Sequence, residues 1–133
     1  MTQATIPRSK TKAYSRKYDQ LRRDFGYRAT VDGTITRRKL EALQAIGYSL
    51  TNLAQRMGRT QQSLSETFHN WSPVHIETVK AVARLYDELH LSPPEGIYAN
   101  RVRIRARRLG YAAPACWDDI ENYSERPKGV LKA

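Results

Sequence analysis

Between Thr60 and His69 the chain reads Thr-Gln-Gln-Ser-Leu-Ser-Glu-Thr-Phe-His, with carboxamides, hydroxyls, a carboxylate and an imidazole set around Leu64 and Phe68. The two apolar residues stand four apart, so on a helix they share an inner face, and Gln61, Gln62 and Glu66 fall on the outer one. Such a face exchanges hydrogen bonds. Gln can pair bidentately with adenine, Glu can accept from the cytosine amino group, and Ser or Thr can serve either. No Lys or Arg lies between Thr60 and Val79, so any cations must come from Arg56 and Arg59 just before the segment, or from farther away.

Other reactive groups assemble into nothing comparable. His69, His75 and His90 make no i, i+4 metal pair, and no cysteine or acidic cluster joins them. Asp118, Asp119 and Glu121 read as a solvated acidic tail rather than a cation site. Cys116 is the sole cysteine, excluding an intramolecular disulfide and a cysteine zinc site, and it reads as a small apolar residue. No glycine-rich phosphate loop and no nucleophile elbow occur. The expectation is a protein without enzymatic activity, cofactor or metal.

The elements that must position residues 60–69 are legible from spacing. Residues 1–13 are polar and aperiodic and read as an arm. Tyr14, Tyr18, Leu21 and Phe25 predict a short amphipathic helix stopped at Gly26. Thr34 or Thr36 caps a helix carrying Leu40, Leu43 and Ile46, which ends at Gly47. Ser49 caps a second, running through Met57 with Leu50, Leu53 and Ala54 inward; Gly58 stops it, and Thr60 caps a third. A longer helix spans Ile76 to Leu89 with Val79, Val82, Ala83, Tyr86 and Leu89 inward. Ser92-Pro93-Pro94-Glu95-Gly96 is a break, and a last helix runs from Ile97 to Leu109. On it Tyr98, Val102, Ala106 and Leu109 form the predicted inner stripe. The segment beyond Pro114 reads as a fraying end with Trp117 as a lid. No alternating strand is present, so the expectation is all-α: a compact helical bundle.

Charge divides the same chain differently. Its 133 residues hold 23 Lys and Arg against 13 Asp and Glu, a formal charge of +10. Residues 1–30 carry +6, residues 31–92 only +1, residues 93–113 +4 and residues 114–133 −1. The organisation expected is a basic arm and helix over 1–30, a central domain over 31–92, and an Arg-rich helix with an acidic, aromatic tail over 93–133. The excess favours a polyanion, nucleic acid before an acidic membrane surface. Apolar runs are too short for a membrane span or a signal peptide, which points to the cytoplasm.

Two short helices joined by a glycine-containing turn have the layout of a helix-turn-helix. Ala54 is small where the helices must cross, Gly58 suits a left-handed turn, and Leu53, Met57, Leu64 and Phe68 complete the wedge. An ordinary helical hairpin would also want small and apolar residues here. The run Arg38 to Ser49, followed by Leu53-Ala54-Gln55-Arg56-Met57-Gly58, resembles small helix-turn-helix proteins of actinobacteria and their phages. So do Val82 to Leu89, and Arg107-Arg108-Leu109-Gly110-Tyr111 leading through Pro114 to Trp117-Asp118-Asp119-Ile120. The resemblance covers residues 34–120 and implies a DNA-binding regulator broadly similar to phage repressors. It implies that the motif's second helix lies in the major groove, with Thr60, Gln61, Gln62, Ser65, Glu66 and His69 at base edges.

The reading that follows is a sequence-specific double-stranded DNA-binding transcription regulator, a repressor by preference, in the cytoplasm at the nucleoid (the host's, if phage-encoded). Phosphates would be held by Arg56 and Arg59, by Arg8, Lys10 and Lys12 of an arm that follows the backbone or a minor groove, and by Arg101, Arg107 and Arg108. On the last helix those three arginines point outward with Arg103 and Arg105 at the margins, and five mutually repelling arginines call for an anion. Internal neutralisation by Asp118, Asp119 and Glu121 is the competing account. A monomer and a homodimer both remain open, with Ile97, Ile104, Trp117 and Tyr123 as the spare apolar residues. An architectural or recombination-accessory DNA binder is an alternative function. So is a phage adaptor docking on a host protein through its Tyr, Trp and acidic tail residues.

Overall fold

A helix starts at Thr34 because Asp32 and Gly33 turn the chain there: the Asp32 carboxylate accepts from the Thr34 amide at 2.8 Å. This replaces the expected threonine caps. Thr34 is the first helical residue behind an uncapped Gly33, and Thr36 is buried inside the first turn. We describe a computed structural model for Gln20, Arg23, Asp24, residues 30–69 (backbone only at 67–69) and residues 73–129. The expected arm, with Arg8, Lys10 and Lys12, lies outside the described residues. Of the expected helix over 14–25, only Gln20, Arg23 and Asp24 are described, and their backbone is helical.

Five helices follow: α1 (Thr34–Ala45), α2 (Leu50–Arg56), α3 (Gln61–His69), α4 (Ile76–Leu89) and α5 (Ile97–Leu109), then a 3-10 turn over Pro114–Cys116. The protein is mostly helical. The exception is a ladder that the sequence did not suggest: β1 (Thr30–Val31) pairs antiparallel with β2 (Val74–His75), Thr30 opposite His75 and Val31 opposite Val74. Two residues per strand are too few to leave an alternating pattern, and the pairing closes the chain ahead of α1 against the chain ahead of α4.

Helices α1 and α4 form the platform. Leu40 and Leu43 of α1 meet Val82, Leu85, Tyr86 and Leu89 of α4, and Leu53, Ala54 and Leu64 join the same cluster. Leu40, Leu43, Leu53 and Leu64 are fully enclosed, each contributing about 1.5–3 kcal/mol of burial. Val31, Val74, Ile76 and Val79 form a second cluster under the ladder.

The segment after Pro114 is not frayed over its described length. It crosses α1 as a strap through residue 129, because Arg38 of α1 gathers it. The guanidinium donates to the carbonyls of Ile120 (3.2 Å), Asn122 (2.8 Å), Tyr123 (3.1 Å) and Glu125 (3.1 Å). It also lies 4.4 Å above the Trp117 ring. Lys39 is buried beside it and pairs with Glu121 at 2.9 Å. Both Glu125 carboxylate oxygens accept backbone amides, of Asp118 at 2.7 Å and Asp119 at 2.8 Å. A strap held by a side chain more than eighty residues earlier has no local signature.

Candidate nucleic-acid interface

The geometry of α2 and α3 is set by caps at both ends of the turn between them. Ser49 Oγ accepts from the Asn52 amide at 3.1 Å and starts α2. At the other end the Gly58 amide donates to the Gln55 carbonyl at 3.1 Å, and the Arg59 amide to the Ala54 carbonyl at 2.9 Å. This paired closure requires a left-handed residue, and Gly58 has φ +70° with open space where a Cβ would stand. Thr60 Oγ1 then accepts from the Ser63 amide at 3.1 Å and starts α3. The seam is dry: Leu53, Ala54 and Leu64 have no exposed surface.

With Leu64 pinned, the rest of α3 is oriented. Thr60, Gln61, Gln62 and Glu66 are exposed and Ser65 is half-buried; Thr60 and Gln61, one turn before Leu64, are exposed at the start of the helix on Leu64's own side. By helical phase Gln62 and Glu66 stand farthest from Leu64. Ser63, absent from the expected set, is exposed as well. The side chains of Phe68 and His69 lie outside the described residues. Of the flanking cations, Arg56 is exposed and Arg59 half-buried in the turn. Arg56 Nε donates to Asn52 Oδ1 at 2.7 Å, and its guanidinium sits 5.5 Å from the Tyr48 ring, which holds the charge at the C-terminal end of α2. A cleft of about 220 Å³ separates Ser49, Asn52 and Arg56 from Glu95 and Tyr98 at the start of α5.

Helix α5 meets the expectation at the middle of its stripe and departs from it at both ends. Tyr98 is 77% and Leu109 46% exposed, whereas Ala99 and Ala106 are buried and Val102 is half-buried. The cause is Gly47. A Cβ there would stand 3.1 Å from Pro94 Cγ and 3.2 Å from Ala99 Cβ, so α5 approaches the end of α1 on its small residues. Its large ones remain outside. Arg103 is not a marginal surface charge. Its Nε donates to the Ile46 carbonyl at 2.9 Å and its Nη1 to Asn100 Oδ1 at 2.7 Å, with Nη2 directed to the Pro94 carbonyl.

Arg101, Arg105, Arg107 and Arg108 are exposed, and Arg101 stacks 5.7 Å from the Tyr98 ring. The acids of the strap turn elsewhere: Glu121 pairs with Lys39 and Asp118 with Lys128. Among the described residues no acid reaches Arg101, Arg107 or Arg108.

Burial raises the Glu41 carboxyl against the opposing charges of Arg37 and Arg38. Hydrogen bonds from Thr34 lower Asp32. Burial pushes the Tyr86 phenol up to about 12, helped by Asp87 and Glu121. Among the described residues no three His, Cys, Asp or Glu side chains gather as metal ligands, and no helix is long and apolar enough to cross a membrane. No protein-family model, curated protein or solved structure matches the chain.

Proposed function

We propose that this chain is a transcription regulator of the helix-turn-helix class that binds double-stranded DNA sequence-specifically, acting by occupancy as a repressor. The observation that carries this reading is the α2–α3 unit: a dry seam at Leu53, Ala54 and Leu64, a Gly58 turn, and a free polar face on α3. The inner residues fix the helix, so the outer ones are presented at a set angle, as entry into a major groove requires. Gln61, Gln62 and Glu66 carry base readout, with Thr60 and Ser65 beside them and His69 at the far end of the helix. The absence of Lys and Arg from α3 makes its surface discriminate by hydrogen bonds rather than attract every duplex alike.

Phosphate contacts come from Arg56 and Arg59 at the near end of α3, from Arg8, Lys10 and Lys12, and from Arg107 on the flank of α5. Arg101 and Arg108 are left out of the DNA surface. They share their side of α5 with exposed isoleucines, which a sugar–phosphate backbone would leave uncovered.

Selection of bound duplexes from a random pool tests the reading, and half-site spacing in the result distinguishes a monomer from a dimer. On the selected site Gln61→Ala and Gln62→Ala should each lose about 1–3 kcal/mol of binding, with little change on random DNA. Equal losses on both would remove base readout from α3. A pool that yields no preferred sequence would replace the regulator with an architectural binder.

A further inference from the structure

The side of α5 turned away from the platform carries an ordered pattern. Ile97, Arg101, Ile104 and Arg108 follow at steps of four, three and four, which aligns them along one line of the helix. Ile97 is 62% and Ile104 57% exposed. Arg105 and Leu109 border the line, and with Arg101, Ile104 and Arg108 they line a shallow hollow of about 390 Å³. Isoleucines one heptad apart, alternating along that line with arginines, make a mixed apolar and basic stripe of the kind that a partner helix covers. Scattered single apolar residues on a surface need no account, but a heptad rank of them does.

Charge decides among the occupants. A phosphate backbone answers the guanidiniums and leaves the isoleucines wet. A second copy of α5 covers the isoleucines but sets arginines against arginines in either direction, because no acid lies between Ile97 and Leu109. The chain's own first thirty residues hold eight basic side chains against two acids, so they repel the same face. The strap carboxylates of Glu121 and Asp118 are engaged with Lys39 and Lys128. What remains is a helix with an apolar stripe and acidic edges.

We propose that this face of α5 docks an acidic amphipathic helix of a partner protein. Aliphatic residues of the partner at three- and four-residue spacing cover Ile97, Ile104 and Leu109, and its flanking carboxylates accept from Arg101, Arg105 and Arg108. A planar guanidinium suits a carboxylate in two-bond geometry, and desolvation beside the isoleucines strengthens each pair.

Fluorescence anisotropy on the full chain tests this with a labelled synthetic helix of Leu core positions and Glu edges. A scrambled peptide of the same composition and a peptide with Lys in place of Glu serve as comparisons. The acidic amphipathic peptide should bind at least about tenfold more tightly than either, since burying one isoleucine alone is worth roughly a factor of ten or more. Ile104→Ser should weaken it about tenfold. Arg101→Glu with Arg108→Glu should reverse the preference toward the Lys peptide. Both substitutions alter exposed side chains, and an unchanged thermal melt checks that the fold survives. Equal binding of the scrambled peptide overturns the proposal. Loss of duplex affinity in Ile104→Ser would assign the face to DNA instead, and a solution dimer dissolved by that substitution would assign it to a second copy.

Discussion

The α2–α3 unit and α5 rest on the same α1–α4 platform and are attached to it by opposite means. Leu53 and Leu64 drive the first attachment, so its large apolar residues are inside and its outer face is polar. The second is seated on Ala99 against Gly47 and on the buried Ala106, with Arg103 bound to the Ile46 and Pro94 carbonyls, so its large apolar residues are outside. The packing of a helix thus determines what chemistry is left for a partner. A leucine seat leaves hydrogen-bonding groups free, and an alanine seat leaves isoleucine and arginine free.

The largest expected effect comes from breaking the first attachment. Leu64→Ala removes an enclosed side chain from the shared core, and the unfolding free energy should fall by about 2–5 kcal/mol at unchanged denaturant slope. A cost under about 1 kcal/mol would mean that α3 is not pinned by its seam.

Breaking the second attachment should be milder and more local. Arg103→Met keeps the stem but leaves two carbonyls without a donor, at a cost of about 1–3 kcal/mol. Amide exchange should accelerate over residues 97–109 and hold steady over 61–66. Equal acceleration in both segments would erase the contrast between them.

The third test addresses the shared platform and is the smallest. The folded Tyr86 phenol titrates at about 12, above its ordinary 10.0. Its neutral form therefore favours the folded state; this contribution is complete below pH 10.0 and is lost as pH rises toward about 12. Denaturant midpoints measured through this window should decline, and Tyr86→Phe should flatten the decline. A slope identical in the two proteins would place the alkaline sensitivity elsewhere.

Much of this was legible in the sequence. The bounds Ile76–Leu89 and Ile97–Leu109 follow from periodicity between a proline break and Gly110, and the Ser49 and Thr60 caps from hydroxyls placed before periodic runs. The outward placement of Gln62 and Glu66 follows once Leu64 is taken as the inner residue, whereas Gln61 lies a single turn from Leu64 and owes its exposure to its place at the start of α3. The facing of α5 was legible only in part, since the 100° step put Ala106 and Val102 inward, where they are buried and half-buried, but put Tyr98 and Leu109 there as well. The deciding fact is a close approach at Gly47, in the turn between α1 and α2 and remote in sequence from α5. The β1–β2 ladder was too short for periodicity to register. The strap escaped because its four carbonyl contacts depend on Arg38, and nothing in the spacing of residues 117–129 announces a partner that remote.

That remoteness also sets an order in time. Arg38 precedes its carbonyl acceptors by 82 to 87 residues. At ~5–20 residues per second, a ribosome makes the guanidinium roughly four to sixteen seconds before anything can occupy it. Helix α1 is therefore finished only after the helices that follow it. Until residues 120–125 emerge, α1 has a bare flank while its other face can already close on α4. Loop-closure entropy grows only as the logarithm of length, so the wait adds little thermodynamic cost. What it adds is a nascent interval with Arg38, Lys39 and Tyr86 uncovered, ended by the arrival of the strap.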